Sequence, residues 1–179
     1  MGQRLAVYCG SKLGSNTTYE LAARQLGQTM AKRGYGLVYG AADSGLMGVL
    51  ADAVLAEGGE VIGVIPELLM DAERAHAGLT QLERVSSMHG RKQRMLDLAD
   101  GVIALPGGFG TFDELFEALT WAQLHLHQKP IALLNVNGYF DGLLNFLESS
   151  VAAGFLTNAH RDLLQIATDP DVLLRDFVP

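Results

Sequence analysis

The chain has 179 residues, which at roughly 100–200 residues per domain is one domain, residues 1–179. Hydrophobic residues make up 49% and charged residues 18%, which excludes a disordered chain, and the 21 glycines keep no fixed period, which excludes collagen. Acidic residues outnumber basic ones, 20 against 13, so a net charge of −7 gives no general attraction to nucleic acid or anionic membrane.

An anionic ligand therefore needs a local basic cluster. The one cysteine, Cys9, allows neither an intramolecular disulfide nor a thiolate metal cage, and it suits a reducing compartment. No apolar run approaches the ~18 residues of a membrane span, and the first residues lack the apolar stretch of a secretory leader. The expectation is a cytoplasmic protein.

In chain order, residues 5–9 read as a strand, and Asn16 as the N-cap of a helix running to about Arg33. Residues 35–39 are a strand, and Asp43 or Ser44 caps a helix that Gly58-Gly59 stops. Residues 60–65 are a strand halted by Pro66. Residues 67–78 are polar and irregular, with room for a short helix, and 79–85 form a weaker strand. A helix over 87–99, an apolar strand over 101–105 and a loop over 106–110 come next. A long helix over 111–127, a strand over 131–134, a helix over 141–153, a strand over 163–167 and a helix over 169–177 complete the chain. Strand–helix alternation with uniformly apolar strands predicts an α/β fold: a doubly wound, mostly parallel Rossmann-like sheet with helices on both faces. Ligands then sit beyond the carboxyl ends of the strands, near the switch point. The loops to inspect are 10–15, 40–44, 66–78 and 106–110.

The strongest local signal is Pro106-Gly-Gly-Phe-Gly-Thr-Phe-Asp-Glu114. Gly107, Gly108 and Gly110 permit φ > 0 and leave N–H groups uncovered, and such a nest at a helix start binds anions, typically phosphate. No Gly-Lys-Ser/Thr follows, so it is not a P-loop. The third glycine of a dinucleotide fingerprint begun at Gly108 falls on Asp113. The loop suits one phosphate with two acids nearby. Thr111-x-x-Glu114 also matches a capping box, so Glu114 has a structural reading beside a catalytic one.

Met88-His-Gly-Arg91-Lys92-Gln-Arg94-Met95 opens the preceding helix. Cations there oppose the helix dipole by a few tenths to ~1 kcal/mol each, so Arg91 and Lys92 point to a nearby anion. Arg94 reads as a surface cation paired with Asp97 or Asp100. His125 and His127 diverge at i, i+2 on a helix and do not suit a metal. His76 and His89 read as loop or surface residues, and Cys9 as a small buried thiol. Residues 40–48 form a second glycine-rich junction, either near a ligand or simply a tight turn.

Together, Met88-His-x-Arg91-Lys92-x-x-Met95 and Pro106-Gly-Gly-Phe-Gly-Thr-x-x-Glu114 resemble the Lonely Guy (LOG) family. These are cytokinin riboside 5′-monophosphate phosphoribohydrolases, often mislabelled lysine decarboxylases. The resemblance extends over about residues 5–155, through Leu119-Thr-Trp-Ala-Gln123 to Gly138-Tyr139. It implies hydrolysis of the N-glycosidic bond between an adenine-type base and ribose 5′-monophosphate, without a cofactor or metal. It implies catalytic roles for Arg91 and Glu114. It implies nucleotide contacts from Glu73, Arg91, Lys92, Gly107, Gly108, Phe109, Gly110, Thr111, Glu114 and Thr120. It also implies a homodimer with the site near the subunit interface. One departure is visible: the family's Tyr-Gly-Gly is Tyr39-Gly40-Ala41, and the added methyl puts close backbone approach at residue 41 in question.

The chemistry of the residues agrees. Cleaving an N-glycoside builds oxocarbenium charge on the ribose, which a carboxylate such as Glu114 stabilises, or the carboxylate activates the attacking water. Arg91 meets either the leaving base or the ribose phosphate. A non-catalytic nucleotide-binding protein is the alternative. Pyridoxal chemistry needs a Schiff-base lysine, and the chain offers Lys12, Lys32, Lys92 and Lys129 with no second, substrate-covering domain.

Overall fold

The computed structural model of the chain describes residues 2–69, 74–175 and 177–178. Its elements run β1 (Arg4–Tyr8), α1 (Thr17–Lys32), β2 (Gly36–Tyr39), α2 (Gly45–Ala56) and β3 (Val61–Pro66). After a short 3-10 turn over Glu67–Leu69 come β4 (Gln81–Val85), α3 (Met88–Leu98), β5 (Gly101–Ala104), α4 (Phe109–Gln123) and β6 (Ile131–Leu134). A second 3-10 turn over Val136–Gly138 leads to α5 (Asp141–Ala152), α6 (Asn158–Arg161), β7 (Leu164–Ala167) and α7 (Pro170–Leu173).

All seven strands pair in parallel, in the order β4-β3-β2-β1-β5-β6-β7. The winding reverses between β1 and β5, so the loops after those two strands part there and leave a crevice. Alternation along each strand builds two cores. Leu5, Val7, Leu37, Tyr39, Ile103 and Leu105 pack on α1, α2 and the C-terminal segment. Ala6, Tyr8, Val38, Val102 and Ala104 pack on α3, α4 and α5 through Met95, Leu115, Ala118 and Leu147. Burying each such Leu, Val or Met side chain contributes ~1.5–3 kcal/mol. The edge strand β4 carries Gln81, Glu83 and Arg84, polar side chains of the kind that discourage further strand pairing. No helix among the described residues is long and apolar enough to cross a membrane.

Asn16 caps α1 as expected, its Oδ1 accepting the Thr18 N–H at 3.0 Å. Some elements differ from expectation. Helix α4 begins at Phe109 and ends at Gln123, so His125 and His127 lie beyond it. The short α6, capped by Thr157, was not expected. The last helix stops at Leu173 rather than running on to 177.

Candidate active site

Past the carboxyl ends of β1 and β5 the two loops are tied together. The Gly10 N–H donates to the Pro106 carbonyl and the Leu46 N–H, at the head of α2, to the Gly10 carbonyl, both at 3.0 Å. A Cβ on residue 107 would lie 2.0 Å from Thr111 Oγ1, so only glycine fits beneath that hydroxyl. Tyr139 Oη donates to the Gly107 carbonyl at 2.5 Å. Its ring stands edge-on to Tyr19 and Phe140, with centroids 5.7 and 4.9 Å away. A Cβ on Gly108 or Gly110 would meet nothing within 4 Å. None of Gly107, Gly108 and Gly110 takes up the positive φ that glycine permits. What the loop exploits is the missing Cβ, under Thr111 at one position and facing open space at two.

The capping box is also corrected. Gly108 is the N-cap of α4 and makes no side-chain capping bond. Thr111 is then the third helical residue and Glu114 the sixth, whereas a capping box needs Thr at the cap and Glu at the third position. Thr111 is buried, and Phe109 is 94% exposed. The helix thus presents its positive end without an N-cap side chain.

Helix α3 is capped by Ser87, whose Oγ accepts the Gly90 N–H at 3.0 Å. One turn on, the Arg91 side chain is buried, and its Nη2 donates to the Gly40 carbonyl at the end of β2, 2.7 Å away. Arg91, Glu114, Ser11 and the first turn of α4 border one cleft of about 200 Å³. A second hollow of about 310 Å³ adjoins it, between residues 10–14, Tyr19, Leu46, Tyr139 and Gly107-Gly108. Cys9 also borders the cleft; burial, and then the Glu114 charge, push its thiol far above the usual range. It stays a neutral thiol at neutral pH, in keeping with the packing role expected of it.

Of the expected nucleotide contacts, Gly108, Phe109, Gly110 and Thr111 border the cleft with Arg91 and Glu114, and Gly107 borders the adjoining hollow. Lys92 does not border the cleft. Its Nζ lies 3.0 Å from Asp113 Oδ2 and 2.8 Å from Glu117 Oε2, so the anion beside it is the protein's own carboxylate pair. Burial favours the neutral amine there, but the hydrogen bonds to Glu117 and Asp113 outweigh it and hold Lys92 above its ordinary pKa. Thr120 lies in an outer groove of α4 with Phe109, Phe116 and Trp121, and its Oγ1 donates to the Phe116 carbonyl at 2.7 Å. Glu73 falls outside the described residues.

Arg94 pairs with neither Asp97 nor Asp100. Its guanidinium makes a two-point ion pair with Glu83 on β4, Nη2 to Oε1 at 2.8 Å. The hydrogen bonds from Arg94 hold the Glu83 carboxyl below its ordinary pKa. His76 bridges Asp52, at 3.0 Å, and the Gly78 N–H, a loop role as expected. No group of three or more His, Cys, Asp or Glu able to hold a metal occurs among the described residues. Sequence reasoning missed Gly40 as the anchor of Arg91 and Tyr139 as the brace of the glycine loop. The signal for Lys92 was present in the i, i+4 spacing of Asp113 and Glu117.

A family model described as "Possible lysine decarboxylase" matches residues 47–177. The cytokinin riboside 5′-monophosphate phosphoribohydrolase LOG of Oryza sativa subsp. japonica is 44% identical over 99% of this chain and 74% of its own length. The corresponding LOG1 of Arabidopsis thaliana is 43% identical over 99% of this chain and 84% of its own length. Among solved structures, the molybdenum cofactor binding protein of Rippkaea orientalis superposes with a TM-score of 0.72 at 23% identity. It covers 96% of this chain and 92% of its own, a likeness of fold.

Proposed function

Because the chain belongs to the Lonely Guy family of cytokinin riboside 5′-monophosphate phosphoribohydrolases, we propose that it hydrolyses the N-glycosidic bond of a purine riboside 5′-monophosphate. The products are the free base and ribose 5-phosphate. Arg91, Glu114 and the uncapped first turn of α4 meet in one cleft, and that meeting carries the reading.

In this reading the 5′-phosphate sits on the N–H groups at the start of α4, over Gly107, Gly108, Phe109, Gly110 and Thr111. Oriented N–H groups and the helix dipole favour an anion there. The bond from C1′ to the base nitrogen breaks as water oxygen attacks C1′. The Glu114 carboxylate faces the developing oxocarbenium and takes the proton of that water; the leaving base nitrogen takes up a proton from solvent, and Glu114 afterwards returns its own to solvent. Arg91 supplies the positive charge of the site, held in place by the Gly40 carbonyl. Binding energy from the distant phosphate orients the bond that reacts.

The decarboxylase description fits less well. None of the four lysines borders the cleft that holds Arg91 and Glu114, and Lys92 is held by two carboxylates. We also read the protein as a cytoplasmic homodimer with the site beside the subunit interface. The exposed Phe109 and Phe116 on α4 suit cover by a second copy, next to Thr120 and the cleft. Light scattering of the purified protein tests the dimer.

Incubation with AMP and with an N6-prenylated AMP, followed by chromatography for free base, tests the reaction. Release of base supports the reading. Tight binding of both nucleotides with no base released would make the protein a nucleotide binder and leave Glu114 without a chemical role.

A further inference from the structure

Arg91 and Glu114 stand on different helices, so the distance between them depends on how α3 and α4 are held together. The residue after Arg91 is Lys92, and the residue before Glu114 is Asp113. Lys92 Nζ donates to both Asp113 oxygens, at 3.0 and 3.2 Å, and lies 2.8 Å from Glu117 Oε2, one helical turn further along α4. An ammonium has three N–H donors, and these two carboxylates can occupy them all. The Lys92 side chain is only 8% exposed, against 22% for Glu117 and 61% for Asp113. A buried cation with its donors committed to protein has little left for a ligand.

We propose that Lys92 is a positioning residue, a strap from α3 to α4 that sets Arg91 against Glu114, and not a contact to substrate. The proposal rests on the hydrolase reading above and deepens it. A strap one residue removed from each of the working pair transmits any slip directly to both of them. A misplacement of ~1 Å in a reacting geometry costs about 10²-fold in rate. Substrate binding depends instead on the phosphate nest at Gly107–Thr111; Gly108–Thr111 line the cleft, and Lys92, Asp113 and Glu117 do not.

The test compares wild type with Lys92→Met, Asp113→Asn and the triple neutral variant Lys92→Met/Asp113→Asn/Glu117→Gln. Thermal unfolding, base release from AMP and calorimetric AMP binding are measured for each. Lys92→Met is expected to lose about 10–100-fold in kcat while KM and the AMP Kd stay within about 2-fold. The triple variant, which strands no charge, is expected to be no worse than Lys92→Met, since residues of one network are not additive. Asp113→Asn changes an exposed residue that the fold tolerates. It is expected to lose kcat several-fold with KM unchanged, so the proposal stays testable should Lys92→Met fail to fold. A KM raised about 10-fold or more in Lys92→Met, with Asp113→Asn indistinguishable from wild type, makes Lys92 a substrate contact and overturns the strap. An unchanged kcat in folded Lys92→Met overturns it as well. Wild type that releases no base overturns the hydrolase reading itself, a result distinct from either.

Discussion

The Arg91 guanidinium occupies the space that a side chain on Gly40 would need: a Cβ there would lie 2.2 Å from Nη2, the nitrogen that donates to the Gly40 carbonyl. The atom in the way is the far end of a flexible side chain, so Gly40→Ala has an escape that preserves the fold. Arg91 swings out and loses its buried hydrogen bond, worth ~1.5–3 kcal/mol for a charged group. The expected outcome is a folded protein, less stable by about that amount, with base release reduced by ~10²-fold or more. Circular dichroism melts beside the base-release assay check this. Wild-type turnover in Gly40→Ala would mean that the carbonyl does not place Arg91.

Glu114→Gln separates chemistry from folding more cleanly than the sequence suggested. Gly108, not Thr111, caps α4, so Glu114 is not a member of a capping box. The variant is expected to melt within about 1 kcal/mol of wild type, the usual range for a change away from core and caps. Turnover is expected to fall by ~10²-fold or more, because an uncharged amide neither stabilises an oxocarbenium nor takes a proton from water. Near-full turnover would leave Glu114 out of the chemistry.

The same helix shows why some of the site was legible and some was not. The apolar strand before residue 106 and the helix after it follow from local pattern, and so does the placing of an anion site between them. The start of α4 does not. Phe109 and Gly110 look like loop residues, and Thr111-x-x-Glu114 imitates a cap three positions too late. Partners distant in sequence are harder still. Arg94 finds Glu83, eleven residues back on β4, rather than an aspartate on its own helix. Lys92 finds carboxylates 21 and 25 residues ahead, and Arg91 a carbonyl 51 residues behind. Sheet order brings these pairs together, and no local periodicity encodes it.

Ala41, where the sequence departs from the pattern it resembles, sits at φ 68° and is fully buried. Its methyl does not border the cleft; Gly63 on β3 makes room for it, since a Cβ on residue 63 would lie 2.7 Å from Ala41 Cβ. Gly63→Ala is therefore expected to cost ~1–3 kcal/mol by overpacking. Part of that cost should be recovered in the Ala41→Gly background, while Ala41→Gly alone leaves turnover unchanged. Denaturant unfolding of the two singles and the double gives the coupling. Additive effects would mean that the two residues do not share the space.

Tyr139→Phe removes the hydroxyl that holds the Gly107 carbonyl but keeps the ring between Tyr19 and Phe140. One net hydrogen bond is worth ~0.5–1.5 kcal/mol, so the thermal midpoint should fall modestly. The loop it braces carries the proposed phosphate nest, so KM for AMP should rise several-fold. A lowered kcat at constant KM would assign Tyr139 to the reacting centre instead.

If the start of α4 holds the 5′-phosphate, adenosine must be a far poorer substrate than AMP. A charge-assisted hydrogen bond to phosphate is worth about 1.5–3 kcal/mol, and several act together. Phosphate binding also orients the distant glycosidic bond, so the nucleoside should lose kcat as well as affinity. About 4 kcal/mol corresponds to ~10³-fold in kcat/KM. Free ribose 5-phosphate should inhibit. Gly108 is the position to probe, because a Cβ there meets nothing within 4 Å and a larger side chain leaves the fold intact. Gly108→Val sets an isopropyl group over the N–H groups of the first turn, and it should abolish the preference for AMP while lowering stability by no more than ~1 kcal/mol, the cost of a poorer N-cap. Parallel assays of base release from AMP and adenosine decide the matter. Equal efficiency on the two by the wild-type protein would remove the phosphate from the glycine loop, and the phosphoribohydrolase reading with it.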